Sequence, residues 1–196
     1  MKTVALFDFD GTISDRDSMI DFIRFAVGEK RLLIGALRLG GVILGYALRL
    51  ISDAEAKRRV LAFFFGGSDY DKLLAIADRY AAHRISRIIR PKALEEIKWL
   101  QSEGCEIAIV SASVEIWLKK WCENMNLKLI ATKPEIVDNR FTGALASPNC
   151  KGEEKIRRVK ESYDLSEFEI IRAYGDSPAD RPMLSLARHS FYKPFR

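Results

Sequence analysis

Thr3-Val-Ala-Leu-Phe-Asp-Phe-Asp-Gly-Thr12 is the stretch that decides the fold. Apolar side chains cluster over residues 3–9 and then meet Asp-Gly-Thr, the pattern of a short buried strand that ends in a turn. Two more apolar runs have the same form: residues 106–110, which lead into Ser-Ala-Ser, and residues 169–174, which lead into Gly-Asp-Ser. Helix-like sequence follows each of them. Residues 91–103 also read as a helix, with Pro91 at a permitted first-turn position and Gly104 as its stop. Strands alternating with helices imply a mostly parallel, Rossmann-like sheet covered on both faces, an α/β fold. Asn139-Arg-Phe-Thr-Gly, between residues 135–137 and 144–145, predicts a small hairpin.

Between residues 17 and 90 the texture changes to Leu, Ile, Ala, Phe and Arg at helical spacing, with breaks near Gly28, Ser52-Asp53 and Gly66-Gly67-Ser68. The spacing predicts an all-helical insert of roughly four helices, with no strand signal. The expected division is therefore a core of residues 1–16 and 91–196 and a helical cap of residues 17–90. An insert directly after the first strand sits over the carboxyl ends of the strands, where open parallel sheets place their ligands.

The 196 residues carry 48% hydrophobic and 30% charged side chains, an ordinary globular balance. Asp8 and Asp10 interrupt the only short apolar run near the N-terminus, so no signal peptide is read there, and a cytoplasmic location is expected. Cys105, Cys122 and Cys150 are odd in number and form no CxxC pair, which argues against a disulfide framework or a zinc site. His83 and His189 are the only histidines, too few for a histidine metal site, and are read as packing or surface residues. A net charge of +5 without a reader motif gives no nucleic-acid partner.

The carboxylates carry the chemistry. Asp8 and Asp10 end the first strand, and Asp176 and Asp180 follow the last long one, so a parallel sheet brings all four to one rim. Four carboxylates there would repel one another unless a divalent cation neutralised them, and hard oxygen ligands suit Mg²⁺. Ser111 ends another strand on that rim. Lys151 opens a helix after Pro-Asn-Cys, with Lys155 as a local competitor one turn along. A hydroxyl and an ammonium near a cation are what a phosphoryl group needs for its remaining oxygens.

In this order, Asp8-Phe-Asp-Gly-Thr12, Ile109-Val-Ser111, Lys151 and Gly175-Asp-Ser-Pro-Ala-Asp180 resemble motifs I to IV of the haloacid-dehalogenase-like (HAD) phosphatases. The resemblance spans essentially the whole chain, and the insert position matches the helical C1 cap of the phosphoserine-phosphatase-like branch, subfamily IB. It implies a Mg²⁺-dependent phosphatase that hydrolyses phosphate monoesters. Asp8 would be the nucleophile and Asp10 the general acid and base. Mg²⁺ would be held by Asp8, the Asp10 carbonyl and Asp176, with Asp180 nearby. Ser111 would bind the phosphoryl group, Lys151 would balance charge on Asp8, and the amides around Gly11 and Ala112 would add donors. Dehalogenases in the family do not need the second acid at Asp10, so its presence favours phosphoryl chemistry. Phosphomutase-type transfer and a non-catalytic or membrane-associated binding module on the same scaffold are the alternatives.

Phosphoserine phosphatases usually carry Ser where this chain has Gly11, Glu where it has Asp17, and Gly-Gly where it has Ala112-Ser113, departures that weigh against phosphoserine as substrate. Residues 32–51 approach the length of a membrane span, but Arg38 and Arg49 interrupt them. On one ideal helix Arg31, Arg38 and Arg49 fall within about 20° of one another, a narrow basic stripe on an apolar helix. A packed cap helix, an interfacial helix serving a lipid phosphate and a true span all fit this pattern. The chain is also similar to bacterial phosphatidylglycerophosphate phosphatases of the same branch. The expected partner is accordingly a phosphorylated small molecule or a lipid phosphate, and only the interfacial reading adds membrane-surface contact through the cap at the inner membrane surface.

Overall fold

The computed structural model describes residues 2–196. Its elements in chain order begin with strand β1 (Thr3–Phe7) and helices α1 (Ser18–Val27), α2 (Glu29–Arg38), α3 (Gly40–Ala47) and α4 (Asp53–Phe65). The two-residue strand β2 (Ser68–Asp69), α5 (Tyr70–His83) and α6 (Pro91–Ser102) follow. Next come β3 (Glu106–Val114), α7 (Lys119–Asn124), β4 (Lys128–Thr132), β5 (Pro134–Val137) and β6 (Arg140–Leu145). The chain closes with α8 (Glu153–Ser162), β7 (Ile170–Gly175), α9 (Arg181–Leu184) and β8 (His189–Tyr192).

Five strands form one sheet in the order β4-β3-β1-β7-β8, and every neighbouring pair is parallel. This is the α/β fold read from the sequence. β1 is central because Val4, Ala5, Leu6 and Phe7 are all fully buried, which only a strand covered on both faces allows. The alternation of side chains sorts them into two layers. Ala5 and Phe7 join the cluster that includes Ile97 of α6, whereas Val4 and Leu6 join Val159 of α8 and Met183 of α9. The chain leaves β1 for β3 on one side and β7 on the other, so the end of β1 is the point where strand order reverses and where such sheets bind ligands.

Helices α1 to α5 follow one another between β1 and α6. Ser52 and Asp69 cap α4 and α5, each accepting a backbone N–H from the first turn. Two expectations for this region are corrected. The apolar stretch of residues 32–51 is two helices, not one, so the insert has five helices rather than four. The chain turns at Leu39 (φ −90°, ψ 9°) ahead of Gly40-Gly41, where two poor helix formers weaken continuation. Arg49 lies beyond α3 at φ 60°, so the three arginines do not share one helical face. Among the described residues no helix is long and apolar enough to cross a membrane, which removes the true span.

The second correction is a strand within the insert. Ser68 and Asp69 pair antiparallel with Phe141 and Arg140, adding β2 to the β5–β6 hairpin in the order β2-β6-β5. Two residues are too short for a periodic signal. Helix α4 also lies directly on that hairpin: a Cβ placed on Gly143 would stand 2.3 Å from Ala62 Cα, and Gly143 has a φ of +88°. Gly143→Ala should therefore cost about 1–3 kcal/mol in urea unfolding through strain and overlap, while Val137→Ala at an exposed site stays within about 0.5 kcal/mol. Unchanged stability for the glycine variant would contradict the close approach.

Candidate active site

The end of β1 delivers Asp8 into a tight loop over residues 9–13, in which Gly11 takes φ +85°. A side chain is excluded there, because a Cβ would stand 2.6 Å from Asp176 Oδ2. The loop therefore brings the two strand ends together. Thr12 Oγ1 donates to Asp8 Oδ2 at 3.2 Å and makes a longer contact with Asp176 Oδ1 at 3.4 Å. One carboxylate oxygen from each of Asp8, Asp176 and Asp180 lies within 4.8 Å of the others. Three expected residues that are distant in sequence are thus side by side. Their oxygens suit a hard divalent cation.

The cation beside Asp8 is Lys155, and the assignment to Lys151 is corrected. Lys155 is buried and donates to Asp8 Oδ1 at 2.5 Å and to Asp180 Oδ1 at 2.7 Å. Helix α8 starts at Glu153, so Lys151 precedes it and meets Asp53 of the insert at 3.5 Å, on the wall of the cavity described below and not on Asp8. Lys155, Arg158 and Val159 form the buried stripe of the helix. That stripe is the signal that distinguishes the two lysines: the one in phase with Val159 turns inward.

Asp180 acts mainly as an anchor. Its Oδ2 accepts from the backbone N–H of Asp176 (3.2 Å) and from the N–H and hydroxyl of Ser177 (2.9 and 2.7 Å). Burial opposes its charge, but Lys155 and the Ser177 donors hold it below the usual carboxylate range. Burial also pushes Asp8 up to about 7, because the pull of Lys155 does not offset desolvation and the nearby Asp180 and Asp10. Lys155 itself is raised, since the two aspartates outweigh the effect of burial. Three clustered carboxylates with one buried ammonium leave a negative excess, and a further cation would relieve it. Arg196 reaches the exposed side of Asp176 and meets that charge in part.

The Asp10 carboxylate is outside the cluster. Its Oδ1 accepts from the backbone N–H of Ser18 at 2.7 Å and its Oδ2 from Ser113 Oγ at 2.6 Å. Ser18 Oγ is within 2.9 Å of Ser113 Oγ and accepts from Trp117 Nε1 at 3.0 Å. Burial and the neighbouring Asp17 raise Asp10 to about 6 despite these donors. Ser111 is buried in β3, which runs on to Val114 instead of ending near Val110, and its hydroxyl accepts the Ser113 N–H at 3.0 Å. The sequence marks Ser113 only as a departure from Gly-Gly; its bond to Asp10 is a finding of the structure. The Gly11 N–H makes only a long contact with Ser14 Oγ, at 3.4 Å.

Above these groups lies a cavity of about 380 Å³, lined by Asp8, Asp10, Lys155 and Ala112 from the strand-end side and by Val42, Ile43, Tyr46 and Lys57 from the insert. Lys57, another residue the sequence did not single out, donates to Ala112 O at 2.7 Å and Asn149 Oδ1 at 2.8 Å. Asn149 in turn donates to Asp53 at 2.6 Å. Helix α4 is thereby tied to the end of β3 and to the loop before α8. Burial lowers Lys57 even though Asp53 and Asp10 favour its charge.

The haloacid dehalogenase-like hydrolase profile matches residues 5–185, and the chain belongs to that family. It is 28% identical to protein CicA of Caulobacter vibrioides over 98% of this chain and 86% of the relative. A crystal structure of a protein from Bordetella pertussis Tohama I superposes with a TM-score of 0.84 at 22% identity, covering 97% of this chain and 89% of that one. The substrate-bound phosphoserine phosphatase structure superposes with a TM-score of 0.67 at 19% identity, covering 98% and 86%.

Removing the Lys155 ammonium leaves Asp8 and Asp180 facing each other. Lys155→Met should lower the unfolding free energy at neutral pH by about 3–5 kcal/mol, whereas Lys151→Met should change it by less than about 1 kcal/mol. Chemical denaturation of both variants separates these outcomes, and equal stability of the two would contradict the pairing.

Proposed function

We propose that the protein is a Mg²⁺-dependent phosphatase that hydrolyses a phosphate monoester through a phosphoryl group carried on Asp8. The observation that carries this reading is the contrast between two neighbouring carboxylates. Asp8 faces Lys155 and the acidic cluster, while Asp10 is held apart by Ser18 and Ser113. A divalent cation held beside Asp8 would return it to the carboxylate form that attacks, while Asp10, apart from the cluster, is left for the proton.

An Asp8 oxygen attacks phosphorus, the bond from phosphorus to the ester oxygen breaks, and the departing oxygen takes a proton from Asp10. Asp10, raised to about 6, can hold that proton near neutrality and still release it. In the second half Asp10 accepts a proton from water, the water oxygen attacks phosphorus, and the bond to Asp8 breaks to free inorganic phosphate. Lys155 takes the charge-balancing role first assigned to Lys151, and Ser111 with the amides near Gly11 and Ala112 are proposed donors to the phosphoryl oxygens. Asp8, Asp176 and the Asp10 carbonyl would hold Mg²⁺, with Asp180 behind them, and the ion would offset negative charge on the phosphoryl oxygens. Residues 17–90 act in this reading as a cap that closes the site and selects the substrate.

The cavity favours a substrate with an apolar portion, since Val42, Ile43 and Tyr46 stand opposite the carboxylates while Lys57 and Lys151 supply positive charge. A lipid phosphate such as phosphatidylglycerophosphate meets this description, and a small phosphorylated metabolite meets its polar half. A lipid substrate would draw the protein from the cytoplasm to the inner membrane surface.

Turnover of p-nitrophenyl phosphate should require Mg²⁺ and disappear with a chelator. Asp8→Asn is expected to reduce kcat by at least about 10³-fold and Asp10→Asn by about 10²–10⁴-fold. Equal turnover by Asp8→Asn and wild type would refute the nucleophile. Across phosphorylated metabolites and lipid phosphates in mixed micelles, kcat/KM should rank a lipid phosphate first; a soluble metabolite at the top would overturn the lipid preference.

A further inference from the structure

Of the twelve large hydrophobic side chains exposed among the described residues, eight lie on the α2–α3 hairpin and the turn after it, between Leu33 and Leu50. Leu37 is 76% exposed and Leu50 75%. The same segment concentrates positive charge. Residues 30–51 contain Lys30, Arg31, Arg38 and Arg49 and no acidic residue, so they hold four of the five positive charges by which the whole chain exceeds neutrality. All four cations are exposed. Scattered apolar side chains are ordinary on a protein surface, but eight of them concentrated on one short segment among four exposed cations mark a contact surface.

We propose that this hairpin docks on an anionic lipid bilayer. Apolar side chains among cations fit the boundary between acyl chains and negatively charged headgroups. The break at Leu39 gives two short helices that can lie in that boundary without crossing the bilayer. A second copy of the chain fits the face poorly, because a two-fold contact would gather eight cations of residues 30–51 in one interface with no acidic side chain from that segment to offset them. The position of the face also links it to the cavity. Ile43 and Tyr46 are 51% and 45% exposed and line the cavity as well, so the docked surface would adjoin the way in to Asp8. The surface gives the proposed phosphatase access to a phosphate monoester anchored in the membrane, and in that use it rests on the reading of the site; the docking itself is measured separately.

The test is flotation with phosphatidylcholine vesicles, pure or with about 30 mol% phosphatidylglycerol. The proteins compared are wild type, Leu37→Asp/Leu50→Asp and Arg31→Glu/Arg38→Glu, whose replaced residues are exposed and outside the cavity lining. Wild type should float with the anionic vesicles. Its partitioning should fall about 10-fold or more in pure phosphatidylcholine and in each double variant. Turnover of soluble p-nitrophenyl phosphate should stay within about 2-fold of wild type in both variants, which shows that they are folded. Wild type left in the soluble fraction, or variants that float as well as wild type, would overturn the proposal. So would a dimer in ultracentrifugation that Leu37→Asp/Leu50→Asp dissolves, since the face would then belong to a second copy. Flotation of a protein without phosphatase turnover would leave the docking surface standing and remove only the catalytic reading.

Discussion

A lysine ammonium buried between two aspartates imposes conditions on everything near it. Lys155 reaches Asp8 and Asp180 from the first turn of α8, and no group of the three could be buried at this depth without the others. Asp180 must in turn be satisfied on its other oxygen, and the turn over residues 175–180 folds back to supply Asp176 and Ser177 as donors. That turn sets the position of Asp176 against Gly11, and so the spacing of the acidic cluster follows from a single pairing of charges. The strands deliver the residues to one rim; the ion pair locks them in place.

Much of this was legible in the sequence because it depends on local pattern. Apolar residues 3–7 followed by two aspartates mark both the central strand and its reactive end, and the parallel sheet follows from strands alternating with helices. Lys151 stands where the sequence predicts a lysine opening a helix, but the helix begins at Glu153, and its phase, in which Val159 points inward with Lys155, decides between the two lysines. Ser18, Trp117 and Lys57 were beyond reach for another reason. Ser18 meets Ser113 and Trp117, and Lys57 meets Ala112, across the boundary between the insert and the sheet, and no periodicity records a contact between segments about 50 to 100 residues apart. The split of residues 32–51 rests on a turn at Leu39 that hydropathy does not register, since the residues on both sides remain apolar.

The insert has two contrasting sides. Phe22, Tyr80 and Trp117 pack ring against ring under it, and Asp21 is buried with Arg84 and Tyr80 as partners. The helices α2 and α3 lie away from this: Gly35 is the only buried residue of α2, and α3 has none. The packed inner half holds Ser18 against Asp10, while the outer half leaves its apolar side chains exposed.

The backbone approach of Gly143 to Ala62 makes the β5–β6 hairpin a spacer under α4. Neither residue lines the cavity, yet α4 carries Lys57 and Asp53, which do. Bulk added to the hairpin would lift the helix and change the depth of the chamber while leaving every residue of its wall intact. Molecules built on this plan can thus be retuned for larger or smaller ligands from a position that a comparison of wall residues alone would overlook.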